Sequence, residues 1–274
     1  NYGGDGVHLD RYGQLSAADL RAIAATGRKA AVWAWYTTDM EIQPALHVHT
    51  RLLQNYVRSL PAGTPEAVTW HTVDDCCSGL NMHNLFMAGR LMQDPALDAQ
   101  ALLREYAEGF FGTAAAAVLV RALEAIEHAR CRSLRYSLKV GDPNEALNAE
   151  NPVADELPAD WAEQGLAMAQ SSLKEVAALA LPAGHRAAWP VTLSPQEFLP
   201  ELVAHLHAIE QMLAYLKAQG EARRQLAAGA SRERVAALLD ALPEVTYDPA
   251  HTAGLERQAY LQHRQTLAKE RIND

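Results

Sequence analysis

Ala30-Ala31-Val32-Trp33-Ala34-Trp35-Tyr36 and Ala67-Val68-Thr69-Trp70-His71-Thr72-Val73 are the two apolar runs whose reading decides the fold. Each leads into polar and acidic residues: Thr37-Thr38-Asp39-Met40-Glu41 after the first, Asp74-Asp75 after the second. Between them, apolar positions including Leu46, Leu52, Leu53, Tyr56 and Val57 predict a helix from Pro44 to about Leu60. The first run is apolar on both alternating faces, which suits a strand covered on both sides in a parallel sheet. The expected order is strand, helix, strand. In parallel α/β proteins ligands gather at the C-terminal ends of strands, so the polar clusters are where a reactive site is expected.

Outward from that stretch the chain changes character. Asn1 to Gly13 reads as a loop crowded with Asp5, His8, Asp10 and Arg11. Ser16-Ala17-Ala18-Asp19 resembles a capping box, and a short helix carrying Leu20, Ile23 and Ala24 ends at Gly27. A helical pattern spans Leu80 to Met92 and breaks at Asp94-Pro95. Beyond it nearly everything is Ala, Leu, Glu, Gln and Arg, residues that favour helix. Helices are expected over 98–111, 114–136, 159–180, 195–218, 231–242 and 253–269. Ser194-Pro195-Gln196-Glu197 combines a capping box with proline at the first helical position.

The expected fold class is therefore α/β plus all-α. Residues 1–95 would be the last βα units of a (β/α)8 barrel, and residues 96–274 a mostly helical C-terminal domain. Two strands cannot make a stable parallel sheet alone, and a full barrel takes about 250 residues. The missing strands are expected in the remainder of a longer barrel chain, a reading that fits Asn1 in place of Met.

Composition narrows the function. Hydrophobic residues make up 49% of the chain, ample for a core. The formal charge is 24 − 33 = −9 with no Lys/Arg run, which argues against nucleic acid as a partner. No apolar stretch approaches the roughly 20 residues of a membrane span, and no signal peptide opens the chain. Cys76, Cys77 and Cys131 are an odd set with two adjacent, a poor disulfide framework, so a reducing, cytoplasmic location is expected. No second Cys/His group has zinc-site spacing, and His47 and His49 would not face each other on a helix. Neither a metal nor a cofactor is expected, and there is no Gly-rich phosphate loop.

The patterns Trp33-Ala34-Trp35-Tyr36-x-x-Asp39, Trp70-x-x-x-Asp74 and Gly79-Leu80-Asn81 resemble the last strands of bacterial TIM-barrel glycoside-hydrolase-like proteins. The phrases Ala88-Gly89-Arg90-Leu91-Met92-x-Asp94-Pro95-x-Leu97-Asp98, Leu102-Leu103-x-Glu105-Tyr106 and Gly109-Phe110-Phe111-Gly112 are similar to the junction between barrel and helical domain in families near the α-glucuronidases and β-hexosaminidases. The resemblance spans about residues 28 to 135 and implies a carbohydrate substrate. Residues beyond 140 contribute only helicity.

Glycoside hydrolysis usually needs two carboxyl groups about the scissile bond, one of them held protonated by its surroundings. Asp39 and Asp74 are the expected catalytic pair, with Glu41 and Asp75 as neighbours binding substrate. Trp35, Tyr36 and Trp70 would stack on the C–H faces of sugar rings. His71 and Asn81 would bond sugar hydroxyls. Each has a plainer reading: acidic residues after strands cap helices, Asn opens them, and tryptophans fill cores. Trp161 and Trp189 read as packing residues. Two further function classes fit the same sequence, a carbohydrate-binding protein without turnover and a helical interaction or structural domain.

Overall fold

A computed structural model describes residues 17–28, 31–34, 46, 48, 50–59, 67–70, 79–137, 160–182 and 184–241. Its elements are α1 (Ala17–Ala25), β1 (Ala31–Ala34), α2 (Thr50–Ser59), β2 (Ala67–Trp70), α3 (Met82–Gln93), α4 (Ala99–Phe111), α5 (Thr113–Ser137), α6 (Trp161–Ala177), α7 (Pro195–Ala227) and α8 (Arg232–Asp240).

The expected α/β-plus-all-α class, with barrel βα units at 1–95, is corrected. Helix accounts for 74% of the described residues, and the fold class is all-α. The only ladder among the described residues pairs β1 and β2 in parallel, Ala31 against Ala67 through Ala34 against Trp70. Among the described residues, two four-residue strands cannot enclose a barrel interior. The long amphipathic patterns supply the core instead. The helix expected from Pro44 is shorter: Leu46 and Val48 are non-helical and fully buried, and α2 begins at Thr50.

The chain divides into two compact units, Asn1–Val120 with Ala180–Phe198, and Arg121–Leu179 with Leu199–Asp274. In the first, α2, α3 and α4 pack on one another. The sequence dictates the buried face of α4: Ala99, Leu102, Leu103, Tyr106, Ala107 and Phe110 recur at three and four and are all buried. Asp98 caps the helix by accepting from Ala101 N–H at 2.9 Å, and Gly112 ends it. Helix α2 also holds the turn before α4. Arg58 donates to Pro95 O (3.0 Å) and Leu97 O (3.2 Å), and Gln54 Nε2 donates to Leu97 O (2.9 Å). Ala96 N–H closes that turn onto Asp94 Oδ1 at 2.9 Å.

The box at Ser194 forms as its residues dictate. The Ser194 hydroxyl donates to Glu197 Oε2 at 2.6 Å and accepts from Glu197 N–H at 3.3 Å, while Ser194 N–H donates to the same carboxylate at 2.9 Å. These bonds hold Glu197 below the usual carboxylate range.

In the second unit the buried residues include Leu123, Ile126 and Ala129 from α5, Trp161, Ala169 and Val176 from α6, and Leu202, Leu206, Ile209 and Leu213 from α7. His128 stacks on Trp161 at 17° and donates from Nε2 to Trp161 O at 3.0 Å. Arg121 pairs with Glu175 at 2.6 Å and Lys217 with Glu163 at 2.9 Å, both at the surface. Val235 of α8 packs with Ala222 of α7.

Burial of the two apolar cores leads to a direct expectation. Phe110→Ala, at a site 1% exposed between Tyr106, Phe111 and Phe198, should cost about 3–5 kcal/mol, and Leu206→Ala in the second unit about 2–5 kcal/mol. Urea unfolding of each variant measures this; losses under about 0.5 kcal/mol would place these side chains at the surface.

Candidate functional site

The candidate site is built at the turn that opens α3. Asn81 takes the cap position with φ −108° and ψ 18°, and its side chain makes no capping bond to the helix. The first turn is closed by Asn84 N–H donating to Asn81 O at 2.9 Å. Freed from capping, the Asn81 amide is fully buried, as is the His83 ring, and Asn84 is 1% exposed. Three hydrogen-bonding side chains within four residues are thus inside the protein, and none of them lacks an interaction.

The neighbour of His83 is Tyr106 of α4. Its ring meets the edge of His83 at 5.9 Å between centroids, and packs against Phe86, Phe110 and Trp189 at 5.5–5.7 Å. The phenol oxygen is buried and has no hydrogen-bond partner. Leaving such a hydroxyl unpaired costs about 1–3 kcal/mol, which is why buried polar atoms without partners are few and demand a reason. Burial pushes the phenol far above its ordinary range, because the charged form is expelled from an apolar cage. The hydroxyl of Thr50, at the start of α2, is likewise buried and unpaired.

A strap, Gly184–Leu193, completes this side of the unit. Trp189 lies flat on Phe86 at 5.4 Å and 17°. Its ring fills the space that a side chain at Gly109 would need: a Cβ there would overlap Cζ3 and Cη2 of the indole. Beside it Ala188 N–H donates to Gly109 O at 2.7 Å, and His185 Nε2–H donates to Phe110 O at 3.0 Å. Two carbonyls left over at the end of α4 are thereby satisfied by distant residues. The strap then reaches Gly79, where a Cβ would stand 2.8 Å from Leu193 N. Gly79 also has φ +73°, a conformation open to glycine at little cost. Gln196 Nε2 secures the strap by donating to His185 O at 3.0 Å. At the rim Arg90 sits 5.8 Å from the Phe86 ring and pairs with Glu105.

Of the residues singled out in the sequence, Asn81 lies in this cluster. Trp70 is the last residue of β2, paired with Ala34. Asp39, Asp74, Trp35, Tyr36, Glu41, His71 and Asp75 lie outside the described residues, as do His47, His49, Cys76 and Cys77. Among the described residues no group of three His, Cys, Asp or Glu side chains is placed to hold a metal ion, and no helix is long and apolar enough to cross a membrane. Sequence reasoning missed Tyr106 and the Gly109–Trp189 pair. The available signal was a glycine next to the apolar face of α4 and a tryptophan stranded in a segment with Pro and Gly. Comparison with known protein families, with characterised proteins and with solved structures gave no match.

The Tyr106 phenol produces a pH dependence whose sign is fixed. Its folded-state pKa is raised above the unfolded value, so its contribution is fully present below about pH 10 and is lost as pH rises further, at up to about 1.4 kcal/mol per pH unit. Tyr106→Phe should remove that part of the alkaline slope and leave neutral-pH stability unchanged or about 1 kcal/mol higher. Urea melts between pH 7 and pH 11 test this. A Tyr106→Phe variant weaker at pH 7 with an unchanged alkaline slope would mean that the hydroxyl is paired.

Proposed function

We propose that this chain handles a carbohydrate as part of a glycoside-hydrolase-like protein, supplying part of the site. Asp39 and Asp74 provide the carboxylate acid and base, while Trp35, Tyr36, Glu41, Trp70, His71 and Asp75 contact the sugar beside Asn81. The observation that carries this reading is the buried group Asn81, His83 and Asn84 at the turn opening α3. It lies just downstream in sequence of Trp70, His71, Asp74 and Asp75. Amide and imidazole side chains both donate and accept, which suits hydroxyl groups that do the same. The resemblance of Trp33–Asp39 and Trp70–Asn81 to glycoside-hydrolase-like sequences supports the same ligand class. Neither a metal nor a cofactor is required by carboxylate chemistry of this kind, and the thiol content fits a reducing, cytoplasmic setting.

The predominance of helix favours a second reading, a helical interaction domain that turns over no sugar.

Turnover of a panel of nitrophenyl glycosides by the intact protein separates the readings. Asp39→Asn and Asp74→Asn should each lower kcat by at least about 100-fold, the usual scale for a general acid or base, with the circular dichroism of the folded chain retained. Unchanged turnover in either variant removes that carboxylate from the chemistry. Glycan binding with no release of nitrophenol would leave a sugar-binding protein, and no binding at all would leave the helical interaction domain.

A further inference from the structure

Two independent features of the first unit meet at Trp189. One is the strap, secured at its ends by Gln196 on His185 and by Leu193 against Gly79, and in its middle by an indole in the slot over Gly109, the amide of Ala188 on Gly109 O, and the imidazole of His185 on Phe110 O. Both carbonyls belong to the last turn of α4, where water can replace the strap's donors when it lifts. The other is what the indole rests against. Trp189 packs on the flat face of Phe86 and on Tyr106, a residue 1% exposed whose hydroxyl is buried and has no partner. An indole in this seat satisfies the apolar face and leaves the hydroxyl unpaired.

We propose that the Trp189 seat is a sugar subsite occupied in cis, and that the strap Gly184–Leu193 is its lid. When the strap lifts, a pyranose ring lays its C–H face on Phe86 where the indole was. One of its hydroxyls bonds the Tyr106 hydroxyl, while Arg90 and Glu105 at the rim meet the outer hydroxyls. Stacking on an aromatic face is common to both occupants, but only the sugar pairs the buried phenol. That difference in interaction is what lets the ligand favour the open state. The subsite rests on the carbohydrate reading above and gives it a ligand-facing residue, Tyr106, and a regulated entrance.

Binding of a panel of methyl pyranosides to the full chain, followed by titration calorimetry, tests the proposal with three variants. Trp189→Ala removes the indole, and His185→Ala, which cuts the strap's bond to Phe110 O without touching the seat, stands in should the first variant not fold. Either should bind a pyranoside about 10-fold more tightly than the wild type, because the cost of displacing the lid falls. Tyr106→Phe, which keeps the ring and the fold, should weaken binding by about 10-fold, the scale of one hydrogen bond. Pyranosides that bind all variants with wild-type affinity overturn the subsite while leaving the carbohydrate reading standing. A chain that binds no pyranoside in any variant overturns both. Tightening in Trp189→Ala with no effect of Tyr106→Phe overturns the assigned role of the phenol and with it the subsite as drawn.

Discussion

A missing side chain at Gly109 organises the first unit. Helix α4 presents an almost continuous apolar face, Ala99 through Phe111, and Gly109 interrupts the wall beside it. The gap is filled by the indole of Trp189, which arrives from far along the chain. Filling it does three things together. It buries aromatic surface from Phe86 and Tyr106, it brings Ala188 and His185 to the open carbonyls at the end of α4, and it draws Leu193 against Gly79. The unit is discontinuous in sequence because its core is: Ala180–Phe198 belongs with Asn1–Val120.

How much of this could be read beforehand follows from which signals are local. The helices at 98–111, 114–136, 159–180 and 195–218 were legible because their apolar residues repeat at three and four and their ends carry Asp98, Gly112 and the Ser194–Glu197 box. Helix α7 runs on past the expected end at 218, through Gly220 to Ala227. The barrel was misread because a short apolar run followed by acidic residues looks the same wherever it stands. Ala31–Ala34 and Ala67–Trp70 do pair in parallel, but a two-stranded ladder says nothing about six further strands. Asn81 could be singled out from its place after Gly79-Leu80. Tyr106 could not, because its significance lies in what surrounds the hydroxyl, and three of its four ring neighbours come from other elements.

The functional picture shifts accordingly, from strand tips to the opening turn of α3. A buried imidazole and two buried amides are costly to place inside a protein unless they are engaged, and the imidazole of His83 meets the ring of a tyrosine whose hydroxyl is not. The unpaired phenol is a cost that a phenylalanine at that position would not carry. Phe86 and Tyr106 form an aromatic platform beside the His83 imidazole, covered by Trp189 of the strap.

The most direct measurement is backbone amide exchange of the intact chain in the absence of ligand, resolved at Ala188. With its N–H held on Gly109 O, that amide should exchange far more slowly than an unstructured segment, yet through a smaller opening free energy than the amides of Leu103 and Ala107 inside α4. Exchange at the rate of a free peptide would contradict the account, because the indole would then have no seat and the first unit no strap.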